Sequence, residues 1–401
     1  MYETRRQYVM DAMKEHSLGI IYADREVCRN FFYLTGIERA GMILLLVKNN
    51  GQSHATLFIQ KPDPLYEKWN GKLMTAKEAS DLSGIEDIAY LEDFEATVLR
   101  YLERSGIENL YFNLDEFSLS HTESMSTREA KRFGEHFPAL HIENLYPIIG
   151  TARMQKDEDE VAKIRKAILM TKNGLEAVMK HLRPNLYEYQ VQAVYEYAIK
   201  YQGSIKPSFP TIAGAGYNGT MLHYGTNRDL CHDGDLILLD LGAMYEGYCS
   251  DITRTYPVNG HFTERQKQIY DIVLQANEAV RKAARPGLTT IDLNNVCKEV
   301  LASGLMEIGL IHSADELGKY YMHGVSHHLG LDVHDVTIAS NALLKPGAVI
   351  SNEPGLYIEE EAIGIRIEDD LLITEDGCEV LSKDIMRTTE EIEAFMQKYH
   401  S

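Results

Sequence analysis

Between Asp235 and Tyr256 the sequence reads DLILLDLGAMYEGYCSDITRTY, and this stretch restricts the fold more than any other. Two runs of strand-forming residues, 235–242 and 248–256, flank a short segment ending in Gly247, which is the pattern of an antiparallel hairpin. A turn centred between Tyr245 and Glu246 sets Asp240 opposite Asp251, and directly opposed residues of an antiparallel pair share a face. Two carboxylates held side by side repel each other, so the arrangement calls for a compensating cation, and their hard oxygen donors suit a divalent metal. The plain alternative is a solvated hairpin with two exposed acids. Against it, Asp is depleted in strands, and Asp240 interrupts the apolar run LILLDL, where a charge requires a partner.

At 401 residues the chain is long for one core and is expected to form two domains, 1–150 and 151–401. The formal net charge of −20 argues against nucleic acid and against an anionic membrane surface as partners, since both would be repelled. Cys28, Cys231, Cys249, Cys297 and Cys378 are an odd set without a CxxC pair, which points to free thiols in a reducing compartment. The opening MYETRRQYVMDAMKEHS has no apolar core of signal-peptide length, and no later run approaches a membrane span. A cytoplasmic protein is the expectation.

The first 150 residues alternate between helix-like and strand-like pieces. Val9, Met10 and Met13 space an opening helix, and LGIIYA, MILLLVK, ATLFIQ and NLYFNL read as short strands, with an amphipathic helix over 94–103. This is an α/β domain without a phosphate loop or dinucleotide fingerprint. The crowded aromatics of RNFFYLTG, 29–36, read as core packing. At TARMQKDEDE, 151–160, the composition shifts. Asp157 followed by Glu160 is a helix start, and Val161, Ile164, Ile168 and Leu169 continue at helical spacing. Further helices are expected over 189–201, 264–284 and 291–309. Between them, 207–227 is rich in Gly, Pro and Asn and reads as short strands and turns, with His223 inside it.

The last third carries MHGVSHHLGLDVHD, 322–335. His323 and His327 are four apart, but Gly324 and Gly330 favour loop or strand over helix. A lone histidine is usually structural; the cluster His323, His327, His328 and His334 points to a metal or catalytic site. In AVISNEPGLYI, Glu353 ends a strand at a Pro354-Gly355 turn. In AIGIRIEDDLLIT, alternation puts Arg366, Glu368 and Asp370 on one face and Ile365, Ile367 and Leu371 on the other. The plain reading of these acids is a solvent-facing strand edge. Taken together, Asp240, Asp251, His327, Glu353 and Glu368 are candidate ligands. Four carboxylates and one imidazole exceed what one zinc needs and favour a pair of hard or borderline ions such as Mn²⁺. In such sites the ions lie about 3.5–4 Å apart and generate a nucleophile from water at neutral pH.

The order of DLG, SDITRTYPVNG, HGVSHHLGLDVHD, NEPGLYI and GIRIEDD resembles the pita-bread metallopeptidases, and within them the bacterial Xaa-Pro aminopeptidases, or aminopeptidase P group. RNFFYLTG is similar to that group's N-terminal domain, so the resemblance covers nearly the whole chain. It implies an α/β N-terminal creatinase-like domain followed by an α+β pita-bread (creatinase/aminopeptidase-type) catalytic domain. It also implies that Asp240, Asp251, His327, Glu353 and Glu368 bind two divalent ions, Mn²⁺ with Zn²⁺ or Co²⁺ as alternatives, and that Asp251 and Glu368 bridge them. By the same resemblance His223, His323 and His334 line the substrate site, Arg366 supports it from behind, and the protein is a homo-oligomer. Glu353 is placed to act as general base, and His323 or His334 to donate to the tetrahedral intermediate. The expected substrates are peptides with a free, cationic N-terminus. Their Xaa-Pro bond lacks an amide hydrogen, so proline is recognised by shape, in a pocket of histidine and aromatic side chains. Two rivals stand beside this reading: a prolidase that splits Xaa-Pro dipeptides, and a non-enzymatic pita-bread binding protein.

Overall fold

The computed structural model of the chain describes residues 1–24, 28–115, 123–339 and 341–400. They form two compact units, Met1–Arg153 and Met154–Ser401. In the first, strands β1 (Ser17–Ala23), β2 (Met42–Asn49), β3 (Gln52–Ile59), β4 (Asp87–Tyr90), β5 (Asn109–Phe112) and β6 (His141–Asn144) make one sheet in the order β4-β3-β2-β1-β5-β6. The hairpins β1-β2 and β2-β3 are antiparallel, whereas β4, β5 and β6 join in parallel. Helices α1 (Tyr2–Ala12), α2 (Arg29–Thr35), α3 (Pro64–Asn70), α4 (Ala76–Ser83), α5 (Phe94–Arg104), α6 (Met125–His136) and α7 (Tyr146–Arg153) complete the unit. Every residue of β1 is buried, as a central strand requires, and Leu18, Ile20, Val47 and Phe58 pack with Phe94 and Val98 of α5 and Phe133 of α6. The aromatics of RNFFYLTG are buried in α2, which Gly36 ends in the left-handed conformation.

The second unit is α+β. It contains helices α8 (Glu158–His181), α9 (Glu188–Tyr201), α10 (Glu264–Ala283), α11 (Thr290–Glu307) and α12 (Thr389–His400). Its strands are β7 (Ile212–Ala215), β8 (Leu236–Leu241), β9 (Met244–Tyr245), β10 (Tyr248–Cys249), β11 (Ile252–Pro257), β12 (Val349–Asn352), β13 (Gly355–Ile358), β14 (Ile363–Arg366), β15 (Asp369–Ile373) and β16 (Cys378–Val380). Asp157 and Glu160 form the expected capping box at the start of α8. Val161, Ile164 and Ile168 are buried along that helix, but Leu169, expected with them, lies off the stripe and is exposed.

Two strand expectations change in the structure. In the hairpin Asp240 pairs with Thr253, not with Asp251, and Tyr245 pairs with Tyr248. The turn is therefore centred one residue later, on Glu246 and Gly247, both with positive φ (46° and 83°), as a two-residue primed turn requires. Asp251 then continues the ladder opposite Gly242. Because the register moves by two, it keeps its parity, and both aspartates stay on one face. Gly242 is needed there, since a Cβ on it would come 1.9 Å from the Ser250 carbonyl oxygen. The second change concerns 362–374, which is not one strand. β14 pairs with β13 and β15 with β12, so Ile367 and Glu368 lie in a break between two ladders. Glu368, Asp369 and Asp370 are all buried, which rules out a solvent-facing acidic edge.

None of the five cysteines is disulfide-bonded. Among the described residues no helix is long and apolar enough to cross a membrane.

Candidate metal centre

A cleft of about 580 Å³ in the second unit is lined by Asp240, Asp251, His327, Glu353, Glu368, His223, His323, His334 and Arg366, together with Phe209, Pro210, Leu222 and Val333. All nine residues singled out from the sequence meet in this one place. The elements explain how. Asp240 is the penultimate residue of β8, Asp251 immediately precedes β11, and Glu353 and Glu368 occupy the breaks β12/β13 and β14/β15. Each acid thus stands at or near a point where regular pairing stops and a side chain can turn inward. His327 comes from the loop between α11 and β12, held at its peptide N–H by Ser351 Oγ at 2.9 Å.

Asp251, His327 and Glu368 offer ligand atoms within 4.8 Å of one another. His327 Nε2 lies 3.4 Å from Asp251 Oδ2 and 3.4 Å from Glu353 Oε1. Its Nδ1 is 3.1 Å from the His328 carbonyl, which can only accept, so Nδ1 carries a proton and Nε2 is the atom presented to the acids. Burial pulls the His327 pKa down, but the hydrogen bond and charge of Asp251 and the charge of Glu353 outweigh it and raise it to about 9. Burial pushes Glu353 up to about 7 against the pull of His327 and Arg366. Burial likewise lifts Asp251 and Glu368 above the ordinary carboxylate range, with neighbouring carboxylates adding to the effect. Asp240 gives one oxygen, Oδ2, to Arg366 Nη2 at 2.6 Å, while Oδ1 is buried without a hydrogen-bond partner. Converging carboxylates, an imidazole nitrogen and an orphaned carboxylate oxygen form a donor set that fits divalent cations and that a chain without them can hold only by keeping protons.

All three guanidinium nitrogens of Arg366 are engaged. Besides Asp240, its Nε donates to Thr253 Oγ1 at 3.1 Å and its Nη1 to the Tyr357 hydroxyl at 2.8 Å. The Thr253 hydroxyl in turn donates a hydrogen bond to Glu368 Oε2 at 2.7 Å, so one threonine links the arginine to a candidate ligand. His323 has both ring nitrogens engaged. Nδ1 faces the Gly324 carbonyl at 2.8 Å and Nε2 the Tyr357 hydroxyl at 2.9 Å, which fixes Nδ1 as protonated and Nε2 as acceptor. Burial lowers its pKa to about 4. His334 stands edge-on to His327 at 4.3 Å between ring centroids, and burial lowers its pKa too. His328, the remaining member of the histidine cluster, is buried and is not among the residues that line the cleft.

Tyr357, Thr253 and Ser351 escaped the sequence reading. The available signal was positional: Thr253 is two residues beyond Asp251 on one face of a strand, and Tyr357 is two beyond Gly355 in β13.

Comparison with known proteins bears on this site. Residues 162–375 match Metallopeptidase family M24, and residues 2–111 match the family described as Aminopeptidase P, N-terminal domain. The chain is 34% identical to the Xaa-Pro aminopeptidase of Escherichia coli (strain K12), over 98% of its own length and 97% of the relative's. A solved structure from Bacillus anthracis, assigned provisionally as an aminopeptidase P, is 42% identical and superimposes with a TM-score of 0.97 over 99% of this chain and 98% of that one. Aminopeptidase P from E. coli with the inhibitor Pro-Leu is 32% identical, with a TM-score of 0.89 over 99% of this chain and 98% of the other.

Proposed function

This chain belongs to metallopeptidase family M24, and on that premise we propose that it releases the N-terminal residue from peptides with proline in second position. The observation that carries the proposal is the convergence of four carboxylates and one imidazole on the cleft that Arg366 and three further histidines also line. Asp240, Asp251, His327, Glu353 and Glu368 would hold two divalent ions. We take the ions as Mn²⁺, with Zn²⁺ or Co²⁺ as alternatives. When bound, they supply polarisation of the scissile carbonyl and acidification of water.

The remaining chemistry belongs to the chain. Glu353 is the proton acceptor, its carboxylate lining the cleft with Oε1 3.4 Å from His327 Nε2. His323 is occupied on both nitrogens, so hydrogen bonding to the developing oxyanion falls to His334, with His223 at the exposed lip of the cleft contacting substrate. Arg366 and Thr253 keep Asp240 and Glu368 in place. The substrate's proline ring meets the apolar wall of Phe209, Pro210, Leu222 and Val333, and its cationic N-terminus is drawn to the acids. We assign hydrolysis to the domain 151–401 and treat 1–150 as its creatinase-like companion.

A prolidase would need a cation for the dipeptide's C-terminal carboxylate, because burying that charge unpaired is costly. Among the described residues lining the cleft, Arg366 is the one arginine or lysine, and each of its three nitrogens already donates, to Asp240, Thr253 and Tyr357. That favours an open site for longer peptides. The intact donor set argues against a non-enzymatic binding protein. A cytoplasmic setting is supported by five cysteines that form no disulfide, and self-association into a homo-oligomer by family likeness alone.

The test is a comparison of peptides after adding Mn²⁺. We expect an Xaa-Pro-Yaa tripeptide to be cut at its first bond with a higher kcat/KM than the matching Xaa-Pro dipeptide, and replacement of proline by alanine to remove most of the rate. A dipeptide preference, with longer peptides inert, would make the protein a prolidase.

A further inference from the structure

Glu353 and Glu368 come from different strand breaks, yet one side chain outside the cleft holds both. Helix α10 buries the stripe Ile269, Val273, Ala276 and Val280, and Asn277 sits fully buried in the middle of it. Asparagine is a poor residue for a helix interior, because its amide competes for backbone groups, so its place there needs a tertiary reason. Its Nδ2 donates to the carbonyl of Asn352 at 3.2 Å and to the carbonyl of Ile367 at 3.1 Å. Only the amine end of the amide can face two carbonyl oxygens, so the orientation is determined by the contacts. Asn352 answers with its own Nδ2 on the Asn277 carbonyl at 2.9 Å.

Those two carbonyls belong to the peptide units that lead directly into Glu353 and Glu368. The N–H of the same units is held from the other side: Glu353 N donates to the Val325 carbonyl at 2.9 Å and Glu368 N to the Thr253 carbonyl at 3.0 Å. Each peptide plane is therefore pinned at both ends, at the point where the β12-β15 ladder stops at Asn352 and the β13-β14 ladder stops at Arg366. Across the break the strands keep a cross-link of their own, from Ile367 N to the Pro354 carbonyl at 3.2 Å. It fixes the separation of the chains but not the tilt of the two planes. Among the described residues Asn277 is the one group that donates to the carbonyls of both planes, and so it ties their orientations together.

We propose that Asn277 is a positioning residue that sets the two glutamates of the metal centre relative to each other, acting through the peptide planes and touching neither substrate nor metal. The inference rests on the reading of Glu353 and Glu368 as ligands. Removing the amide leaves two buried carbonyls unsatisfied and lets both planes tilt, which loosens the pair of donors that a second ion requires. Groups that orient metal ligands from behind typically contribute about 10–100-fold to metal affinity.

The experiment is calorimetric titration of MnCl₂ into chelator-stripped full-length protein, comparing wild type, Asn277→Ala and Val280→Ala. Val280 is equally buried one turn along the same helix and contacts no glutamate-bearing peptide in this way, so it reports general loosening of α10. We expect Asn277→Ala to weaken Mn²⁺ affinity by about 10–100-fold and to lower kcat with little change in KM. Val280→Ala should lower Tm and keep the wild-type affinity. If Asn277→Ala does not fold, Asn277→Ser, which retains one donor, should show a smaller loss in the same direction. Wild-type affinity and stoichiometry in the folded Asn277 variant overturn the positioning role while leaving the ligand set standing. A wild-type protein that takes up fewer than two ions overturns the ligand set itself, and the role of Asn277 with it.

Discussion

Glu353 shows how much one side chain's surroundings decide. As a free glutamate it would be a weak base at neutral pH, but burial lifts it to about 7 while His327 and Arg366 keep it from rising further. Glu353→Gln retains size and one oxygen but cannot accept a proton. We expect kcat to fall by at least about 10²-fold, the usual contribution of a placed general base, while KM changes little. Near-normal turnover in that variant would remove Glu353 from the mechanism. At this scale the charged and imidazole members of the site were legible, because a carboxylate inside an apolar run or at a strand end has few reasons to be there. Tyr357, Thr253 and Asn277 were not. A hydroxyl or an amide in a strand or helix is unremarkable until the atoms it bonds, more than a hundred positions away for Thr253 and Glu368, are in view.

The acidic hairpin carries the clearest lesson about elements. Alternation located both strands, but the pairing depends on where the chain reverses. That choice is made by the residues able to take positive φ, here Glu246 and Gly247. The register expected from the sequence was off by two and still left Asp240 and Asp251 on one face, since parity, not register, decides the face. Gly242 guards the result. A methyl group there would meet the Ser250 carbonyl, and the hairpin would have to open between its two aspartates. We expect Gly242→Ala to cost about 1–3 kcal/mol or more of stability, as overpacking does, and to lose Mn²⁺ binding along with it. Intact binding at wild-type stability would show that the strands separate there without consequence. The break at Ile367-Glu368 was missed for a related reason: the alternation of GIRIE was carried on into EDDLLI, although three acids followed by three apolar residues break the period there, and the exchange of partners from β13 to β12 divides the segment at that point.

Over the whole molecule, the site is a store of protons that a cation displaces. Asp251, Glu353 and Glu368 have raised pKa values, so these groups bind more protons in the folded chain than in the unfolded one and make stability fall as pH rises, whereas His323 and His328, lowered to about 4, and His334, also lowered, bind fewer when folded and oppose that trend up to about pH 6.5. His327 acts in the same direction as the three carboxylates: its raised pKa stabilises the fold below 6.5, and that contribution is lost as pH rises to about 9. Asp369, whose pKa is lowered by Arg254 against burial, works the other way only in acid. The expected outcome is that chelation abolishes hydrolysis, that Mn²⁺ restores it, and that the gain in Tm on adding Mn²⁺ grows from about pH 5 to 8. A gain that is flat across that range, or full activity after chelation, would contradict a metal centre built on these groups. What the sequence determined alone was the class of each unit, the elements that carry the site and the chemical identity of its donors, because periodicity and residue chemistry are local properties. The tertiary structure alone decided the hairpin's register, the two strand breaks that turn Glu353 and Glu368 inward, and the hydroxyl and amide groups that hold them. Those depend on which distant backbone groups lack a partner, a condition that exists only after the chain has folded.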